Sequence, residues 1–363
     1  MEETRVTAEL PTIGKISPEI FDEIILPRLG APSPRILAGP QHGVDVGVVD
    51  IGGGQVMATT CDPVFIVPDY GFRRAAWFAL HILASDAATS GLRPTYLCID
   101  LNLPLEITRP HLEELWTTMH EECARIGISV ISGHTARYEG CHYPMVGGAT
   151  VMSIGPADGY VTPAMARVGD VIIVTKGAAI EAAGLMAVTF PVRLAAAYGE
   201  EFARAADGLF EQMSVVDDAL TAASVGVRDD GVTAMHDATE CGVWGGLYEI
   251  AQASGLGLRV ERDQVIVRDD VRRICALFDM DPYASISEGT LLLTCRPPKA
   301  DAVLAALAAR GIAASAVGEM TPASAGLRVV VDGVERSLEH PRVDPFWGAF
   351  GAAMAAAQRE GSH

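Results

Sequence analysis

Lysine is scarce in this chain: Lys15, Lys176 and Lys299 stand alone against 24 arginines in 363 residues. Acidic residues outnumber basic ones 46 to 27, giving a formal charge of −19 with no Lys/Arg-rich stripe to offset it locally. Such a field repels phosphate backbones, so nucleic acid is not an expected partner. No run of roughly 18 apolar residues occurs, and the start has neither a basic segment nor an apolar leader. The expectation is a cytoplasmic protein with no membrane partner. The seven cysteines are odd in number and widely spaced, with no Cys-x-x-Cys pair. Neither a disulfide framework nor a zinc knuckle is indicated, and Cys61 and Cys241, which lack a neighbouring base, read as reduced, buried thiols. A Walker A loop, a Rossmann glycine fingerprint, a kinase signature and a Gly-x-Ser-x-Gly elbow are all missing.

What remains is a chain of well-filled interiors, 49% hydrophobic with a mean hydropathy of +0.25. Its length points to two domains. The reading is an N-terminal segment and helix at 1–35, a first domain at 36–160, a second at 161–325 and a tail at 326–363. Strands and helices alternate in both halves without a strict βαβ rhythm, which indicates an α+β fold.

The run from Ala79 to Pro94 carries the anomaly. Leu80, Leu83, Ala84, Ala87 and Ala88 recur at helical spacing, and Asp86 falls at the edge of that stripe in a helix expected at about 72–91. A carboxylate against a core face needs a cation, a metal or hydrogen-bond donors, unless it simply reaches solvent. Upstream, two β-rich runs flank the Gly52–Gly54 turn as a hairpin, with Asp45 entering its first strand and Asp62 leaving its second. Three aspartates at the edges of consecutive apolar elements suit one Mg²⁺ pocket, although aspartates beside turns and caps are common.

Three further stretches carry chemistry. The segment Ser132–Tyr138, read as a loop after a strand, places Gly133, His134 and Thr135 where donors could face an anion. Val174–Gly177 reads as a strand ending in Thr175, Lys176 and Gly177, with the lysine as a point charge for phosphate. In the second half His236, Asp237, Thr239 and Glu240 crowd a strand end, and Gly242 opens a helix whose amides point at them. Helices are expected at about 178–197, 200–206, 216–226, 242–253 and 299–310.

Taken in order, Gly14-Lys15, Val-Asp before a strand, TTCDP, LASDAATSGLRP, SGHT, VTKG, MHDATECGV and SEGTLLL resemble the aminoimidazole ribonucleotide (AIR) synthase superfamily, also called PurM-like. The nearest resemblance is to the AIR-synthase-related, hydrogenase-maturation branch. It implies an N-terminal domain that pairs with its twin through a shared β-barrel, and a C-terminal α/β sandwich domain. It also implies ATP near the dimer interface and Mg²⁺ held by Asp45, Asp62 and Asp86, with Asp237 opposite. Within these motifs Lys176, His134 and Asp237 are the candidate catalytic residues, while Lys15, Gly133, Thr135, Thr175, Gly177, Thr239 and Gly242 are candidates for holding ATP or its phosphates. The expected chemistry is transfer of the γ-phosphoryl to a small-molecule oxygen, often of an amide, by positioning and charge neutralisation.

The chain departs from the pattern at Ser85, where Asn is frequent, at His134, where maturation enzymes carry an acid, and in its short glycine flap. No cysteine precedes Cys61, which argues against selenophosphate synthesis. The terminal Pro-Arg-Ile-Cys of carbamoyl dehydratases is replaced by Pro341-Arg342-Val343-Asp344. The leading expectation is a homodimeric, Mg²⁺- and ATP-dependent enzyme that phosphorylates a small molecule. AIR synthesis proper, a catalytically silent nucleotide-binding dimer and a metal-dependent hydrolase are the alternatives.

Overall fold

A computed structural model describes residue 16 and residues 18–360. Gly14 and Lys15 lie outside the described residues. The first half contains a helical turn α1 (Pro18–Ile20), strands β1 (Ile36–Ala38), β2 (Gly47–Gly52) and β3 (Gln55–Phe65), helix α2 (Phe72–Thr89), β4 (Pro94–Leu103), α3 (Arg109–Ile126), β5 (Ser129–Arg137) and β6 (Met145–Pro156). The six strands form one sheet in the order β1-β2-β3-β6-β4-β5, antiparallel except for β4 with β5. The β2–β3 turn is made by Gly52, Gly53 and Gly54, all at positive φ, where a side chain would be strained. Helix α3 is bounded as its sequence directs. The Thr108 hydroxyl accepts from the His111 amide at 3.4 Å, and Gly127 closes the far end at φ 96°.

The second half contains β7 (Val171–Thr175), α4 (Ile180–Thr189), α5 (Pro191–Tyr198), α6 (Glu200–Asp207), α7 (Val216–Ala223), β8 (Val232–Asp237), α8 (Gly242–Ser254), β9 (Gly257–Glu261), α9 (Asp269–Phe278), β10 (Leu291–Cys295), α10 (Pro297–Ala309), β11 (Ala314–Thr321), β12 (Leu327–Val331), β13 (Val334–Ser337) and α11 (Pro345–Glu360). Its seven strands are ordered β13-β12-β9-β11-β7-β10-β8, with β9 and β12 parallel and the other pairs antiparallel.

Four expectations require correction. Cys61 is exposed on β3 rather than buried, because it alternates with the inward-facing Thr60. The helix expected over 178–197 is two helices bent by 96° at Phe190, because Pro191 lacks the amide that would continue the ladder. The segment Ser132–Tyr138 is not a loop: β5 runs to Arg137, held by parallel pairing to β4. The stretch from 326 onward is not a free tail. Strands β12 and β13 complete the second sheet, and α11 buries Phe346 at 1% exposure against α4 and α9 residues. No single helix among the described residues is long and apolar enough to cross a membrane.

Helix α2 joins the halves. Leu83, Ala84, Ala87 and Ala88 pack in one continuous core with Val64, Ile99 and Val151 of the first sheet and with Val215, Ala219, Met235 and Leu293 of the second half. Each fully buried leucine contributes about 1.5–3 kcal/mol. The apolar stripe therefore has enough driving force to carry a costly residue, Asp86, into the seam between the two sheets.

Candidate functional site

Four aspartates converge on that seam. Asp86 comes from α2, Asp62 from β3, Asp45 from the segment entering β2, and Asp237 from the last position of β8. The Thr60 hydroxyl lies 3.1 Å from Asp86 Oδ2 and 3.2 Å from Asp62 Oδ2, so one proton serves two carboxylates. Burial first, then repulsion from Asp237, Asp62 and Asp45, holds the Asp86 carboxyl well above the usual carboxylate range. Asp237 is fully buried, and neither of its oxygens has a hydrogen-bond partner. Burial works to raise it, yet His236, with smaller contributions from the Glu288 carboxyl and the backbone, outweighs burial and keeps it below its ordinary value.

His236 is the positive centre. Its Nδ1 is 2.8 Å from Asp45 Oδ2 and 3.7 Å from Asp237 Oδ1, and its Nε2 is 2.7 Å from Glu249 Oε2 on α8. Burial opposes the imidazolium, but three carboxylates raise its pKa well above the usual histidine value. Beneath Asp237, the Glu288 amide donates to Glu181 Oε2 at 2.9 Å, and Glu288 Oε2 is buried without a partner. The Glu181 carboxyl is pushed up to about 8 by burial, with Glu240, Asp344 and Asp237 adding repulsion. This buried surplus of negative charge fits hard divalent cations, which take several carboxylates together with phosphate oxygens.

Other expected residues are held elsewhere. Lys176 Nζ donates to Asp218 Oδ2 at 2.8 Å and to the Ser214 carbonyl at 2.6 Å. The Thr175 hydroxyl donates to Asp218 Oδ1 at 2.6 Å, so the end of β7 is fastened to α7. Gly177 is required by backbone proximity, since a Cβ there would meet the Ile266 carbonyl at 2.5 Å. Gly133, His134 and Thr135 lie along β5, with His134 Nε2 2.9 Å from the Tyr138 hydroxyl. Asp62 pairs with Ala149, Ala149 with Ile99 and Ile99 with Gly133. Three strand spacings, about 14 Å, therefore separate Gly133 from Asp62.

The start of α8 differs from its expected role as an anion cradle. The amides of Cys241, Gly242 and Trp244 donate to Asp344 Oδ2, the Thr239 carbonyl and the Tyr283 carbonyl. Ser85 is also engaged, its buried hydroxyl accepting from the Val215 amide at 3.0 Å. Thr60, Glu181, Glu249 and Glu288 were missed from the sequence. Glu249 on the apolar α8 shows the same signal that marks Asp86, Thr60 lies inside TTCDP and Glu288 inside SEGTLLL; Glu181 carries no signal of its own.

The ligand-free protein is expected to lose stability as pH rises from about 4.5 to about 8. Glu181 titrates near 8 in the fold against 4.5 ordinarily, so within this window the folded state retains a proton that the unfolded chain has released. Stability then falls with increasing pH. Asp86 shifts in the same direction. Thermal melts at pH 5, 6, 7 and 8 check this, and a melting temperature that climbs with pH contradicts an uncompensated cluster.

Two mixed sheets that share one helix and close over buried carboxylates define the PurM-like class of fold. The chain belongs, more particularly, to the AIR synthase related proteins: residues 43–171 match the family's N-terminal domain and residues 167–330 its C-terminal domain. The carbamoyl dehydratase HypE of Escherichia coli (strain K12) is 28% identical over 267 residues, covering 72% of this chain and 75% of that protein. The selenide, water dikinase of Aeromonas hydrophila is 26% identical over 262 residues, covering 71% and 70%. Among solved structures, the hydrogenase maturation protein HypE in complex with ATP superimposes with a TM-score of 0.60 at 20% identity, covering 91% of this chain and 97% of that one.

Proposed function

We propose that this protein is a Mg²⁺- and ATP-dependent enzyme that phosphorylates a small molecule, as final product or as an activated intermediate, and that it works as a homodimer. The observation that carries this reading is the convergence of Asp45, Asp62, Asp86 and Asp237, with both buried Asp237 oxygens lacking a hydrogen bond and faced by His236 only at 3.7 Å. Relatives named for carbamoyl dehydration and for dikinase activity, and an ATP complex among the structural neighbours, support it. Divalent cations held by these aspartates would neutralise the charge on the nucleotide phosphates. The chain's own part is positional. Helix α2 and strand β8 present Asp86 and Asp237 from opposite halves, and Thr60 orients Asp86 and Asp62.

The acceptor is a small molecule with an oxygen nucleophile, an amide or carbonyl oxygen being the class the family resemblance suggests. AIR synthesis proper is one case within it. The engagement of Lys176 by Asp218 and of the α8 amides by Asp344 favours a second reading, a nucleotide-binding dimer that does not turn over. Calorimetric titration with a non-hydrolysable ATP analogue, with and without Mg²⁺, separates these possibilities when followed by ADP-release assays on candidate amides. Mg²⁺-dependent binding with ADP release is the expected result. Binding without release under all acceptors establishes the silent dimer, and no binding in either condition removes the nucleotide site.

A further inference from the structure

We propose that Asp344, carried by the C-terminal segment, is a positioning residue of the seam site, where it clamps the turn that leads from Asp237 into α8. The stretch Pro341-Arg342-Val343-Asp344 otherwise has no part in the phosphoryl-transfer reading. Asp344 is 5% exposed, and both of its oxygens are engaged. Oδ1 accepts from the Phe346 amide at 2.8 Å, and Oδ2 accepts from the Cys241 amide at 2.7 Å. The first bond caps α11, with Pro345 at the first helical position. The second reaches a different element, 103 residues away in the chain.

Two features assign that second bond to the site rather than to α11. The first is the charge. Serine or asparagine caps a helix about as well as aspartate does. Here burial, with repulsion from Glu240, pushes the carboxyl up to about 6 although the Phe346 and Cys241 amides act against it. Only a carboxylate offers two acceptor oxygens to two amides on different elements. The second feature is the backbone that is held. Cys241 sits at φ 62°, a left-handed conformation that strains a residue with a side chain and persists only where surrounding contacts impose it. Its neighbours leave no slack: a Cβ on Gly242 would meet the Ser285 carbonyl at 2.4 Å, and the Trp244 amide donates to the Tyr283 carbonyl at 3.1 Å. At the other end of the turn Asp237 closes β8, and the Ala238 amide donates to the Thr290 carbonyl at 2.9 Å. The path from Asp237 to α8 is therefore pinned at both ends, and Asp344 supplies the far pin. The Ile286 backbone also favours the Asp344 carboxylate, and the Ile286 carbonyl accepts from the Ala182 amide of α4 at 3.0 Å. One side chain thus ties together the segments that carry Asp237, Glu288 and Glu181.

The inference rests on the phosphoryl-transfer reading for the use of the site, and it is tested partly without nucleotide so that the two can fail separately. Asp344→Ser in the full chain retains a cap for α11 and removes the bond to Cys241. Amide exchange is expected to quicken by more than about tenfold across residues 239–245 and to stay unchanged in α11. Binding of Mn²⁺ without nucleotide, followed by the electron paramagnetic resonance of the free ion, is expected to weaken by about tenfold, as is calorimetric binding of the ATP analogue with Mg²⁺. The melting temperature is expected to fall by less than about 4 °C, the loss of a single hydrogen bond. Unchanged exchange across 239–245, or wild-type affinities in the variant, overturns the proposal and leaves Asp344 a helix cap alone. In the wild-type protein the Cys241 amide is expected to exchange as slowly as those of β8, a measurement that needs no variant, and fast exchange there overturns the proposal as well. Should the wild-type protein ignore ATP, the phosphoryl-transfer reading falls while the exchange and Mn²⁺ results still decide the clamp.

Discussion

Asp86→Asn is expected to abolish Mg²⁺-dependent nucleotide binding while raising the melting temperature of the ligand-free protein. The two effects share one cause. In the absence of cations, Asp86 is buried within reach of Asp237, Asp62 and Asp45, and its carboxyl is held far above its ordinary pKa. A carboxyl raised by the fold is stabilised by protonation, and its ionisation at neutral pH works against folding. Asparagine has nearly the same shape, still accepts from Thr60 and carries no charge. The change is expected to add about 0.5–2 kcal/mol of stability, the range usual when a functional residue under strain is neutralised. Replacing an outer partner of a metal site typically costs about 10–100-fold in affinity, and loss of a direct ligand is expected to exceed about 100-fold. Calorimetry with Mg²⁺ and an ATP analogue, together with thermal melts at pH 7, reads both. Preserved affinity would take Asp86 out of the site, and a fall in melting temperature would mean that its charge is already compensated.

The sequence exposes local order better than distant pairing. The α2 stripe, the Thr108 and Gly127 caps of α3 and the triple-glycine hairpin turn can each be read from neighbours within a few residues. Helix α2 also marks its own exception, because one carboxylate among leucines and alanines has to be met by something. What meets it is harder to see: Thr60 is 26 residues away, and Asp237 arrives through the second sheet. Strand β5 lacks apolar alternation because most of its residues are exposed, so only its ladder with β4 shows that it continues through His134. The alanine-rich end looks like a tail until Phe346 and Ala353 are seen packed among α4 and α9 residues. Glycine and lysine in Val-Thr-Lys-Gly suggest phosphate, but the same pair serves where a strand must turn sharply beside another backbone.

Lys176→Ala is accordingly expected to damage stability far more than nucleotide affinity. Lys176 adopts a left-handed backbone at φ 56°, which costs a non-glycine residue about 1–2 kcal/mol and persists only where surrounding contacts fix it. Those contacts are the Asp218 carboxylate and the Ser214 carbonyl, and Asp218 is 2% exposed. Removing the lysine leaves Asp218 with the Thr175 hydroxyl alone. Breaking a buried pair in this way typically costs about 3–5 kcal/mol, because the surviving charge is uncompensated. Lys176→Met combined with Asp218→Leu is expected to recover most of that loss, since well-packed apolar residues often replace a buried pair at little net cost. Thermal melts of the single and double variants, alongside calorimetry with Mg²⁺ and the ATP analogue, test the assignment. A nucleotide affinity that collapses while the melting temperature holds would return Lys176 to the phosphate site. Recovery by the double variant would instead show that Lys176 organises the β7–α7 corner, leaving charge neutralisation at the phosphates to the bound cations.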